Sequence, residues 1–108
     1  MVFDTQTLTR VVERCFDLSM SGALPAETRA QYNAHGKRLR ELLMQLLGAR
    51  FDANSAEFKQ ATDAMHQTNH ALSEAVDDLN KVTQAVARVT ELAGFLDKAL
   101  GVAKRVIS

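Results

Sequence analysis

From Phe58 onward, alternate steps of three and four residues land on Phe58, Ala61, Met65, Thr68, Leu72, Ala75, Leu79, Val82, Val86, Val89, Ala93, Leu96, Leu100, Ala103 and Ile107. Thr68 is the one polar residue in that series. The outermost position of each repeat reads Asp63, His70, Asp77, Gln84, Glu91, Lys98 and Arg105, all polar. An apolar seam of period 3.5 opposite a polar column is the signature of a heptad helix. No proline or slip of register interrupts it. The spacing predicts one helix over about 54–107, on the order of 75 Å long at 1.5 Å per residue. Its start is marked by Asn54 and Glu57 at capping-box spacing, with Ala53 and Phe58 placed for a hydrophobic staple.

The chain before the seam supplies two shorter helices. Leu8, Val11, Val12, Cys15 and Phe16 recur at helical spacing behind Asp4 or Thr5 as cap, which predicts a helix over about 5–20. Gly22 is available for a left-handed cap, and Pro25 suits the first turn of the next helix. That second helix is predicted over about 25–47, with Tyr32, Leu39, Leu42, Leu43, Leu46 and Leu47 facing inward. Gly36 falls in its interior, where glycine costs about 1 kcal/mol relative to alanine and invites a kink. The expected fold class is therefore all-α: one domain over residues 1–108, a three-helix bundle with a very long C-terminal heptad helix.

Length then implies an oligomer. Two helices of about 24 Å and 35 Å cover only the first half of a 75 Å partner. The apolar stripe also widens over the last two heptads. Leu92, Phe95, Leu96, Ala99, Leu100, Val102 and Val106 are the expected interface, through which the chain forms a homodimer or meets another protein. A membrane surface is the alternative occupant, since residues 91–108 read as an amphipathic segment with Lys98, Lys104 and Arg105 on its polar side. A break near Asn80 or Gly94 has a different consequence: the last segment folds back, a four-helix bundle forms, and the stripe becomes core.

The composition narrows the function classes. Thirteen basic residues balance thirteen acidic ones, so attraction to nucleic acid is not a property of the whole molecule. The basic cluster from His35 to Arg40 lacks interleaved aromatics and reads as a solvated face. A single cysteine, Cys15, set among apolar neighbours, fits a reducing compartment and places the chain in the cytoplasm. The N-terminus shows no basic start followed by an apolar run, so no signal peptide is expected. His66 and His70, four apart on one helix, have the spacing of two metal ligands, with Asp63 and Glu74 nearby. The segment "HQTNH" lacks the glutamate of a metalloprotease helix, and both histidines fall on outward columns. No nucleophile, base and orienter come together, and no cofactor is implied. The reading is a non-catalytic helical interaction module: an adaptor, scaffold component, secretion chaperone or toxin-neutralising partner.

Overall fold

The computed structural model describes residues 3–52 and 54–107, with side chains described as far as Ala103 apart from that of Ala53. Among the described residues there are four α-helices, one short 3-10 turn and no strand. The helices are α1 (Thr5–Ser19), α2 (Ala26–Leu46), α3 (Ala56–Asp77) and α4 (Val82–Ile107), with the 3-10 turn Leu79–Lys81 between α3 and α4. The all-α expectation holds. The single helix over 54–107 does not: it is two helices folded back on each other, and the longest dimension of the protein is 46 Å.

The physical reason lies at Asp78. Its backbone is extended (φ −135°, ψ 101°), and its side chain accepts a hydrogen bond from the Asn80 amide at 3.0 Å, capping the 3-10 turn. Asp and Asn compete with the helical backbone in this way. What the break achieves outweighs its cost. Val82, Val89, Leu92, Leu96 and Leu100 of α4 are all buried against the chain's own helices. Burial of five such side chains is worth about 7–15 kcal/mol, against about 1–3 kcal/mol for the backbone hydrogen bonds given up at a turn.

The other boundaries follow from local chemistry. Asp4 caps α1, accepting from the Thr7 amide at 3.1 Å and from the Thr7 hydroxyl at 2.7 Å, and these hydrogen bonds hold its carboxyl below the usual range. Pro25 immediately precedes α2. Ser55, not Asn54, caps α3, its hydroxyl accepting from the Phe58 amide at 3.2 Å. Serine one residue later displaces the expected capping box, and Ala53 lies outside the described residues. Gly22 does not take a left-handed conformation, since no described residue has a positive φ. Helix α2 runs through Gly36 without a break. Glycine leaves room there for the Phe16 ring, which would have to shift for a larger residue because a Cβ would sit 2.9 Å from it.

Helix order around the core is set by which pairs touch. α1 packs on α2 and α3, and α4 packs on α3 and α2, so the ring runs α1, α2, α4, α3. Phe3 meets Phe58 edge-on, with ring centroids 6.1 Å apart, and Arg14 hydrogen-bonds Asn69, so α1 and α3 run parallel. Tyr32 reaching Val82 and Arg38 reaching Asp97 place α2 parallel to α4. The α2–α3 connection crosses one end of the molecule, burying Ala49 and Phe51, and the Phe51 ring packs tilted against both Phe3 and Phe58.

Cys15 lies fully buried on α1. Desolvation pushes its thiol up to about 12, so the thiolate is scarce at neutral pH. Iodoacetamide at pH 8 is expected to leave the native chain unmodified over hours and to alkylate it within minutes in urea. Rapid native labelling would show that the α1–α2 contact opens readily.

Candidate interaction surface

Helices α3 and α4 form the most extensive helix pair in the protein. Ala61, Ala64 and Ala75 on α3, with Ala85, Ala99 and Ala103 on α4, are buried and lack bulk, which lets the two backbones approach. The pair is antiparallel. The Thr68 hydroxyl donates to the Arg88 carbonyl at 3.1 Å, which satisfies the one buried polar residue of the seam. Arg88 Nη1 donates to Gln67 Oε1 at 3.3 Å, and Lys81 Nζ to Glu74 Oε2 at 3.1 Å.

On the outer side of this pair lies a shallow groove in three open hollows. One is lined by Glu57, Lys98, Gly101 and Val102. The next is lined by Gln60, Asp63, Ala64, Gln67, Glu91 and Phe95. The third is lined by Gln67, His70, Ala71, Glu74, Gln84 and Arg88. The floor is small or apolar and the rim is polar. Lys98 Nζ lies 5.8 Å from the centre of the Phe95 ring. Glu74 accepts from Lys81 and also pairs with His70 Nε2 at 2.9 Å; the Lys81 hydrogen bond and charge hold its carboxyl below the usual range. Hollows this open suit a helix or an extended segment better than an enclosed small molecule.

The sequence-predicted interface divides on this surface. Leu92, Leu96, Ala99 and Leu100 are at most 3% exposed, covered by the chain's own helices. The exposure that a projecting helix would have given them is absent from this fold. Phe95 and Val102 remain partly buried and line the groove. Val106 lies outside the described side chains. As far as Ala103, the amphipathic segment that would have met a membrane turns Leu92, Leu96, Leu100 and Ala103 to the core. Among the described residues no helix is long and apolar enough to cross a membrane.

The remaining candidates scatter. His66 and His70 are both exposed, with His70 held by Glu74 and His66 close enough to Asp4 to lower its pKa. Among the described residues no cluster of three or more metal-ligand side chains forms. The basic stretch on α2 is dispersed: Arg38 pairs with Asp97 at 2.6 Å, Arg40 lies over the Phe16 ring, and burial lowers the His35 pKa. Sequence reasoning missed the groove-lining polar residues Gln60, Gln67 and Gln84. Gln60 and Gln67, seven apart, share one flank of the seam and Gln84 falls on its outermost column, and only the fold-back makes all three face one channel.

Residues 34–106 match the family described as dynactin subunit p22. The chain belongs to the dynactin subunit p22 family. No curated protein and no solved structure matches it. The match to dynactin subunit p22 begins within α2 and takes in all of α3 and nearly all of α4. Every residue lining the groove falls inside it, whereas α1 lies outside.

Proposed function

We propose that this chain is a non-catalytic structural subunit of a dynactin-type assembly in the cytoplasm, and that the α3–α4 groove seats a helix of another protein in that assembly. The observation that carries this reading is the membership in the dynactin subunit p22 family. The match spans the whole groove, and the groove has an apolar floor and a polar rim. Phe95 and Val102 offer the apolar contacts. Asp63 and Glu91 on the rim favour a basic residue on the visiting helix, while Lys98 and Arg88 to either side favour acidic ones.

Gly101 provides the test. A Cβ at this position meets nothing within 4 Å, so a larger side chain enters the groove without disturbing the fold. Gly101→Arg is expected to keep the helical signal, with stability held or raised by about 1 kcal/mol from helix propensity. The same variant is expected to lose at least tenfold in co-sedimentation with dynactin. A wild-type chain that never sediments with dynactin sinks the assembly reading. A Gly101→Arg chain that enters as well as wild type sinks the groove.

Homodimerisation is a second reading, favoured by the partial exposure of Phe95 and Val102 on the same face of α4.

A further inference from the structure

The seam that runs from Phe58 to Ala103 passes through the α3–α4 turn without losing register. Of its described members, Leu79 is the one left exposed, at 43%, and Val76 beside it is 47% exposed. A helix that continued through the turn would carry Leu79 along the same seam as Leu72, Ala75 and Val82. The turn itself is slight. Asp78 alone has an extended backbone; Leu79–Lys81 is already a 3-10 helix and Val82 is right-handed helical. No glycine or proline occurs between Ala56 and Ala93 to fix the reversal. The turn is held by the Asp78 cap on Asn80 and by the Lys81–Glu74 pair.

We propose that α4 exchanges between two copies of this chain: Asp78 turns helical, α3 and α4 become one helix, and each α4 packs on α2 and α3 of the other copy. The exchange needs no new surface, because every contact of α4 is remade with an identical neighbour. Tyr32 again meets Val82, Arg38 again meets Asp97 and Thr68 again meets Arg88, now across two chains. The two long helices pass antiparallel at the two-fold axis, and there Leu79 and Val76 of both copies cover each other. The occupant is thus a second copy, selected by the seam's own continuity and by the exposed pair at its hinge. The groove is rebuilt in the exchanged form, so Gly101→Arg leaves the exchange untouched and the two proposals fail separately.

Two hinge variants act in opposite directions. Asp78→Ala removes the cap and supplies a helix former, and with two hinges per dimer it is expected to tighten dimerisation on the order of 30-fold. Leu79→Pro fits the first position of the 3-10 turn behind an extended residue but cannot continue a helix, so it holds the chain monomeric. The measurement is solution mass by light scattering over a concentration series, after refolding at high concentration. Gln67→Cys with Arg88→Cys, added to Asp78→Ala and oxidised, then reports which chain α4 packs on. Covalent dimers on a denaturing gel support exchange. Dimers in solution that run as crosslinked monomers overturn it, and so does an Asp78→Ala chain that stays monomeric at millimolar concentration.

Discussion

Replacing Leu96 with aspartate is expected to abolish the cooperative fold. Leu96 is fully buried at the centre of the α4 seam. Truncating such a leucine costs about 2–5 kcal/mol, and an unpaired carboxylate there adds several more. Together these match the whole stability of a small domain, about 5–15 kcal/mol. Its neighbour Phe95 is the control. That ring is only partly buried and faces the groove, so Phe95→Asp is expected to cost about 1–2 kcal/mol and leave the helices intact. Circular dichroism melts separate the two outcomes. If Leu96→Asp remains folded as a monomer, α4 is not packed as described. If both variants unfold alike, Phe95 is core and the groove is shallower than its lining residues indicate.

Tyr32→Ala is expected to lower stability by about 3–5 kcal/mol, a fall in melting temperature of about 15–25 °C. Tyr32 has no exposed surface, and its hydroxyl donates to the Val82 carbonyl at 2.6 Å, tying α2 to the first residue of α4. Desolvation raises its pKa, so the phenol stays protonated as a donor throughout the neutral range. Tyr32→Phe keeps the ring and loses only the hydrogen bond, worth about 1 kcal/mol. The gap between the two variants measures the cavity. Equal losses would mean that the ring contributes no packing and that the α2–α4 contact rests on the hydroxyl alone.

Helix content was legible because it rests on local periodicity. The seam, the Asp4 cap, the buried face of α1 and most of that of α2 follow from residue spacing, although Leu47, expected to face inward, is 59% exposed. The reversal at Asp78 was harder to see, because tertiary burial decides it and the heptad pattern is the same on either path. A trace was present: in the column Ala64, Ala71, Asp78, Ala85, Leu92, Ala99, Asp78 is the only charged residue. A carboxylate at an otherwise small or apolar position is where a helix can leave its axis. For the same reason Leu92, Leu96, Ala99 and Leu100, expected at an interface, are buried against the chain's own helices. An apolar stripe shows that something covers it; whether that is the same chain depends on a turn of a few residues. Phe95 and Val102 kept partial exposure because they sit on the edge of the stripe, facing the rim of the α3–α4 pair.

The ring order of the helices also bears on how the chain reaches this shape. Sequence neighbours α1 with α2, and α3 with α4, pair as two antiparallel hairpins, so most helix contacts close over short loops. Local contacts of this kind give a low contact order and folding in microseconds to milliseconds. What comes later is the docking of one hairpin on the other, guided by a connection that must cross the end of the molecule. Phe51 rides on that connection and settles against Phe3 and Phe58, so this aromatic cluster forms only when docking is complete. Substitutions within it should therefore speed unfolding while leaving the folding rate nearly unchanged.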